Sequence, residues 1–338
     1  MKTSFRPMIM LAVLSPLTAE FLLGDQYLSG MAPAGQQIGM LISFIALYGM
    51  GAVLIRELAR RLRLGWAGLL LLALGYGIFE EGLITQTLFN PHYLGLNLLA
   101  PGHIGLLGIG APWTVFVISL HVIWSICTPI AIVEAWHGSD GTADTRPWLG
   151  RAATVVCLII FAIGAAAILT VSTVFASPPF LAHPAQLIIV AVLVLLVVLA
   201  AVRLRGRGSD VTASLPATPA RIGWSALLGF LATTAFQLIN GLPDRLAWLS
   251  FAGMLAVWAV ALLIMVSRRP DPFGLAVGAV LTYAWVGMRS ALGEAGLPGL
   301  VEQSLLILLF LAGLAWSYRR LLNRAGQPAR PERSTVRS

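Results

Sequence analysis

Long apolar runs alternate along the chain with short polar connections, and each run is about as long as a membrane-crossing helix. Such a helix needs roughly 20 predominantly apolar residues. Prolines punctuate several runs as they do at helix ends: Pro112 and Pro272 begin two runs, and Asn90-Pro91 follows another. The pattern predicts ten spans, at 8–24, 37–55, 66–88, 112–135, 151–174, 185–203, 222–241, 246–267, 271–290 and 300–322.

These runs predict an all-α fold, a polytopic transmembrane helical bundle in which residues 1–324 form a single domain. The composition agrees, because 58% of the 338 residues are hydrophobic and only 11% are charged, against roughly 25% charged in soluble domains. A soluble protein of this length could not cover so much apolar surface. Residues 325–338 are rich in arginine, proline and serine and are expected to be a disordered basic tail.

The cations lie in every second connection between the apolar runs. If the N-terminus is placed in the cytoplasm, 20 of the 22 lysines and arginines fall on the inner side, and only Arg245 and Arg289 fall outside. Cytoplasmic loops of membrane proteins carry such an excess of cations. The distribution therefore predicts that both termini are cytoplasmic and that the chain crosses the bilayer about ten times.

The formal net charge of +8 comes from these short clusters. They form no aromatic-rich basic face that could bind bases, so nucleic acid is excluded as a partner. Membrane lipid is the expected partner, and the oligomeric state stays open.

Ionisable residues inside the predicted spans are the first candidates for function, because a charge in hydrocarbon is costly. The third span contains the adjacent acids Glu80 and Glu81, and the fourth contains His121. Counted from the outer span ends at a 1.5 Å rise per residue, all three lie roughly 10–14 Å below the outer surface. The two spans are consecutive and antiparallel, so Glu80, Glu81 and His121 are predicted to form a catalytic acid–base site, in which Glu81, or else Glu80, is the general base.

Further polar or aromatic residues lie near this level and are predicted to bind a substrate in a cavity open to the outer side. These residues are Glu20, Thr85, Gln86, Trp124, Ser125 and Arg289. Arg289 is the strong cation closest to the outer half of the bilayer and is expected to pair with a glutamate. A single histidine leaves a metal site short of ligands, so no metal ligand is predicted and the cofactor is unknown.

The outer connection 89–111 is long, glycine-bearing and largely apolar. Its glycines lack the lysine of a phosphate-binding loop and the order of a dinucleotide motif. The connection joins the glutamate span to the histidine span, and we expect it to cover the outer mouth of the cavity. Gly274 and Gly278, four residues apart, predict a close contact between two helices.

Three stretches of the chain, 15–20, 48–58 and 76–91, resemble a bacterial family of uncharacterised multi-pass membrane proteins. The resemblance implies a location in the bacterial cytoplasmic (inner) membrane and no known activity. Glu80-Glu81 and His121 are also remotely similar to the double glutamate and the histidine of glutamate intramembrane proteases of the CAAX-processing and bacteriocin-immunity type. Thr85 stands where those proteases have arginine.

Three interpretations of the function stay open. The first is a glutamate-type intramembrane hydrolase or protease acting on a small-molecule, lipid or peptide substrate. The second is a small-solute or proton-coupled transporter with two halves of five helices. The third is a non-catalytic membrane component that binds a lipid or a partner protein. The first predicts polar residues mainly in one half of the membrane, and the second predicts them in both halves.

Overall fold

The structure, a computed structural model, describes residues 4–28, 35–138, 143–206 and 218–325. Apart from Ala325, the tail predicted to be disordered lies outside the described residues. The chain forms a bundle of long helices, as predicted. Numbered in chain order, they are α1 Phe5–Pro16, α2 Gln37–Leu62, α3 Gly65–Ile84, α4 Ala111–His137, α5 Arg151–Thr173, α6 Pro184–Val202, α7 Pro219–Asn240, α8 Asp244–Arg268, α9 Pro272–Gly293 and α10 Gly296–Asn323.

Within the described residues, the nine helices α2 to α10 are long and apolar enough to cross a membrane. The first predicted span, 8–24, corresponds to α1 and a helical turn that continues it to Phe21, with a short helix Asp25–Leu28 after it. The α1 segment is buried at Leu11, Ala12 and Ser15, so it packs inside the bundle. Its 12 α-helical residues and the five that follow reach about 25 Å, at the short end of what crosses a bilayer. The count of ten spans and the orientation of the termini stay predictions.

Helix α2 continues to Leu62, well beyond the predicted end of its span at residue 55, because its arginines are buried inside the protein. Arg56 Nε donates a 2.9 Å hydrogen bond to Glu134 of α4. Arg60 binds the same carboxylate through two nitrogens, each at 2.6 Å. Arg56 and Glu134 have no exposed surface, and Arg60 has 6%. We call Arg56, Arg60 and Glu134 the Arg–Glu cluster, which joins α2 to α4 at the predicted cytoplasmic end.

The Arg–Glu cluster also holds the connection between α4 and α5. Arg56 donates to the carbonyl oxygens of Asp144 and Arg146, and its guanidinium lies 3.3 Å from the ring centroid of Trp148. Burial alone would raise the pKa of Asp144, but hydrogen bonds from Arg146 and Trp148 outweigh it and hold that pKa below its usual value. The connection is therefore fixed to the bundle by charged hydrogen bonds.

Small residues allow the closest helix contacts, as the Gly274 and Gly278 pair predicted. A Cβ atom on Gly278 would lie 2.3 Å from the Ala226 carbonyl oxygen of α7, and one on Gly274 would lie 2.6 Å from that of Ile222. Between α3 and α6, Gly82 allows the same close approach by the side chain of Val190. Helices α5, α6 and α8 carry rows of exposed leucine, isoleucine and valine, the surface expected to face lipid.

Four helical turns are wider than an α-helix and follow the i→i+5 pattern of a π-helix. They are Leu17–Phe21, Ile45–Gly49, Glu80–Ile84 and His121–Cys127. Such turns are rare and occur frequently at functional sites. Each of the four carries a polar side chain that points toward the same interior region of the bundle.

Candidate functional site

Glu80, Glu81 and His121 meet in the interior of the bundle, and we call them the Glu–His cluster. The Nε2 atom of His121 shares a 2.6 Å hydrogen bond with Oε1 of Glu81. On the other side of the ring, Nδ1 lies 3.2 Å from Oε2 of Glu80. None of the three residues is more than 4% exposed. The glutamate and histidine spans therefore meet as predicted, and one carboxylate lies at each ring nitrogen of His121.

Both oxygens of Glu81 are engaged. While Oε1 contacts His121, Oε2 accepts a 3.0 Å hydrogen bond from the hydroxyl of Thr85, one turn further along α3. The hydroxyl of Thr87 also donates to Oε2. Thr85 was predicted to belong to the site, whereas Thr87 lies beyond the end of the helix and the spacing gave no reason to choose it. The two threonines fix the orientation of Glu81, which in turn fixes the ring of His121.

Glu80 differs from Glu81 in how its carboxylate oxygens are engaged. It is completely buried, yet within the described part of the chain neither of its oxygens has a hydrogen-bond partner. The hydroxyls of Tyr48 and Tyr76 approach it, but that of Tyr76 also lacks a partner. Most buried polar atoms are hydrogen-bonded, and the exceptions tend to mark functional positions or a missing ion or water. Glu80 therefore offers two acceptor atoms to a ligand.

Two tyrosines frame the histidine ring. Tyr48 of α2 stacks on it, with ring centroids 5.6 Å apart and an interplanar angle of 14°. Tyr76 of α3 meets it edge-on at 6.0 Å. The sequence analysis passed over both residues, since a tyrosine in an apolar run resembles a packing residue. Together with the Glu81 contact, they leave the ring of His121 a single orientation.

Gly51 makes room for this frame, and its replacement by alanine is expected to disturb the site. A Cβ atom there would lie 2.6 Å from the Tyr76 ring, so the ring must move and its contact with His121 must change. Overpacking of this kind typically costs about 1–3 kcal/mol. The matched control is Gly39→Ala on the same helix, where a Cβ would meet nothing within 4 Å. Thermal unfolding in detergent measures both; equal midpoints would show that Tyr76 is not held as described.

Two of the predicted binding residues border the cluster. The hydroxyl of Ser125 lies 3.2 Å from Nδ1 of His121, and its carbonyl accepts a 2.6 Å hydrogen bond from Ser15 of α1. Glu20, in the turn that continues α1, contacts the hydroxyl of Tyr48 and lies within electrostatic reach of His121. The Glu–His cluster is thus surrounded by α1, α2, α3 and α4.

A family model described as an uncharacterized membrane protein family matches residues 9–324. The chain belongs to this family. No match to the chain was found among the curated proteins or among the solved structures. The matched range contains α1 to α10 almost entirely, so this membrane protein has both clusters inside the part that defines its family.

Three predicted binding residues of this family member lie apart from the Glu–His cluster. Trp124 is completely buried; its Nε1 donates to the carbonyl of Ala279, and its ring stacks on Tyr283 with centroids 3.9 Å apart. The side-chain oxygen of Gln86 accepts a hydrogen bond from the backbone of Ala182. Trp124 and Gln86 therefore support packing and loop structure.

Arg289 does not make the predicted pair with a glutamate. It is exposed, and among the described residues it forms no ion pair. Its position near the end of α9 directs the side chain away from the bundle, where water or lipid headgroups can solvate it.

The outer connection of this membrane protein lies beside the cluster. It contains a short antiparallel pair, β1 His103–Ile104 and β2 Ile109–Gly110, and it is held to α6 by a hydrogen bond from Gln186 to the Leu107 carbonyl. Burial and the nearby carboxylates, Glu81 first among them, raise the pKa of Tyr93. This proximity agrees with a cover over the outer side of the site, and a movement of the cover stays a prediction.

A separate cavity of about 620 Å³ lies between α4, α7, α8 and α9. Its polar end is lined by Arg221 and Asp271 near the predicted cytoplasmic side, and its apolar end by Phe236 and Val122. The span from Arg221 to Phe236 is roughly 22 Å along α7. Glu134 also lines this cavity, whereas the Glu–His cluster does not. Charged side chains therefore line the bundle at its predicted cytoplasmic end as well.

Proposed function

We propose that this membrane protein is an intramembrane hydrolase of the bacterial cytoplasmic membrane, in which the Glu–His cluster activates water against a peptide or lipid substrate. The observation that carries the proposal is the 2.6 Å contact between His121 and Glu81, with Glu80 at the other ring nitrogen. Charge-assisted hydrogen bonds of this kind set the orientation and protonation of a catalytic imidazole. The sequence resemblance to glutamate intramembrane proteases adds only Glu80-Glu81 and His121, so the proposal rests on geometry.

The hydrogen bonds of the Glu–His cluster support a separate role for each of its three residues. Within the described residues, neither oxygen of Glu80 accepts a hydrogen bond of good geometry, so it is the group best able to accept a proton from an attacking water. His121 carries the proton that the leaving group needs. Glu81 is a positioning residue, because both of its oxygens are occupied by His121 and the two threonines. The sequence analysis named Glu81 first for the role of base, and the contacts favour Glu80 instead.

The burial of the site supports chemistry inside the membrane. With water largely excluded, charges act on one another more strongly than they would in solution. The tyrosine and glycine contacts fix the ring before any substrate binds, as electrostatic catalysis requires.

The proposal is tested by hydrolysis in proteoliposomes. Reconstituted protein is incubated with a panel of membrane-embedded peptides and lipid esters, and new products are detected by mass spectrometry. Glu80→Gln keeps the shape of the side chain and removes the base, so at least about a 100-fold loss of any activity is expected. Glu302→Gln, the same exchange at a half-buried position of α10, is the control. An activity that Glu80→Gln retains would refute the assigned chemistry.

A second candidate function, proton-coupled transport, is supported by the inner cavity. The cavity extends from Arg221 and Asp271 to the level of the Glu–His cluster, because Val122 of its lining directly follows His121. Polar groups in both halves of the bundle are what a pathway across the membrane needs. Solute-driven pH changes in proteoliposomes that Glu80→Gln abolishes, without any product of hydrolysis, would favour transport over catalysis.

A further inference from the structure

The interior around His121 carries more acid than base. Glu20, Glu80 and Glu81 lie around a single histidine. Among the described residues, none of these acids forms an ion pair with a lysine or an arginine. Buried charges are usually paired or bound to a metal, because the cost of leaving them uncompensated is large. The acids around His121 therefore outnumber its basic groups, and a bound cation would neutralise the excess negative charge.

The donor atoms of the three residues lie close to the spacing that a single ion requires. One ligand atom from each of Glu80, Glu81 and His121 lies within 4.8 Å of the others. Zinc lies about 2.0–2.2 Å from carboxylate oxygens and imidazole nitrogens, so two donors on the same ion are at most about 4.4 Å apart. A small rotation of a side chain is enough to bring all three atoms to one ion.

Glu80 supplies an independent reason to expect a ligand. Its side chain is fully buried and points at the ring of His121, with Oε2 at 3.2 Å from Nδ1. His121, Tyr48 and Tyr76 lie near its oxygens, but within the described residues neither oxygen accepts a hydrogen bond of good geometry. A buried acceptor pair directed into a group of other ligands is a frequent sign of an ion.

We propose that Glu80, Glu81 and His121 bind one divalent metal ion, through an oxygen of each glutamate and one ring nitrogen of the histidine. Two carboxylates and an imidazole suit Zn²⁺ or Mn²⁺. Binding requires both carboxylates and the ligating ring nitrogen to be deprotonated, so any proton held on these atoms passes to water. Three protein ligands leave a coordination position open for water, as in catalytic zinc sites.

This inference builds on the proposed function, since it names the cofactor of the same site. It differs from the sequence-based prediction, which named no metal ligand and left the cofactor unknown. That prediction counted one histidine against the need for several ligands and had no means of seeing the unsatisfied oxygens of Glu80. With the metal bound, the ion lowers the pKa of its water, and Glu80 acts as a ligand instead of as the base.

The test measures metal directly. Purified, tag-free protein in detergent is stripped with chelator, reloaded with Zn²⁺ or Mn²⁺, and analysed by elemental mass spectrometry and by equilibrium titration. One ion per chain is expected in the unmodified protein and in the control Glu302→Gln. Glu80→Gln should bind at least about 100-fold more weakly, because losing even an outer-sphere partner costs 10–100-fold. X-ray absorption of the zinc-loaded, unmodified protein should show nitrogen and oxygen ligands at 2.0–2.2 Å with one imidazole.

No ion in the unmodified protein, or equal binding by Glu80→Gln, would overturn the metal site. If Glu80→Gln does not fold, the absorption spectrum decides, and a coordination shell without imidazole is the negative result. The two proposals fail separately. If metal-free protein still hydrolyses a substrate, the ion has no part in the reaction and the hydrolase proposal stands. If one ion binds but no tested substrate is hydrolysed, the hydrolase proposal is refuted and the metal site stands.

Discussion

Replacing Glu134 with glutamine is expected to lower the free energy of unfolding by about 3–5 kcal/mol, the largest single effect on stability that we predict. Glu134 accepts hydrogen bonds from both Arg56 and Arg60 in a fully buried position. Glutamine keeps the shape but removes the charge, so Arg60 loses the carboxylate that it binds and Arg56 keeps only the longer, 4.0 Å contact with Glu57. The loss should also release the connection that Arg56 holds between α4 and α5.

The measurement is chemical unfolding in detergent micelles, with Arg146→Gln as the control. The side chain of Arg146 is 80% exposed and pairs with Asp144 at the surface, and such pairs contribute roughly 0–1 kcal/mol. Equal stabilities for the two variants would mean that water or lipid headgroups reach the Arg–Glu cluster. Glu134 would then not contribute the predicted value of about 3–5 kcal/mol to the free energy of unfolding.

The largest effect on activity is expected from Glu81 and His121, and it should not be additive. Glu81→Gln removes the partner that orients the ring, and His121→Asn removes the ring itself. Each is expected to lower any activity of the protein by about 10²–10⁴-fold. Because the two side chains act through one 2.6 Å contact, the double variant should be no worse than the worse single one.

The measurement is the rate of product formation in proteoliposomes, or of transport if that proves to be the function. Correct folding is checked by size-exclusion chromatography of each variant. Losses that multiply in the double variant would show that Glu81 and His121 act independently. Full activity of Glu81→Gln would reduce the contact to a structural role.

The Glu–His cluster could be predicted because hydrocarbon makes ionisable residues stand out. Two adjacent glutamates and a histidine in consecutive spans were found at equal depth by counting residues at a fixed rise, and the structure places them in contact. The all-α fold followed from the same solvent argument, and the span limits mostly agree within a few residues. Where they disagree, as at the end of α2, the reason is specific to charged residues.

The Arg–Glu cluster could not be predicted in this way. The positive-inside pattern assigns Arg56 and Arg60 to the membrane edge, where they would meet water, and it carries no information about a carboxylate on another helix. Partner choice depends on helix rotation and packing, which the hydropathy pattern leaves undetermined. The same limit explains why Trp124 and Arg289 lie apart from the Glu–His cluster: the depth of a residue was estimated, but the direction of its side chain was not.

The π-helical turns couple the two clusters through helical phase. In α4 the turn His121–Cys127 begins at the histidine and precedes Glu134, and in α2 the turn Ile45–Gly49 contains Tyr48 and precedes Arg56. A π-turn amounts to one extra residue in the helix, and each residue rotates an α-helix by about 100°. Deleting one residue after His121 would restore the α-helix but turn Glu134 about 100° away from the arginines. A homologous chain that lacks that residue can form the Glu–His cluster or the Arg–Glu cluster, but not both. A length difference of one residue in α4 would therefore separate two structural subtypes of the family.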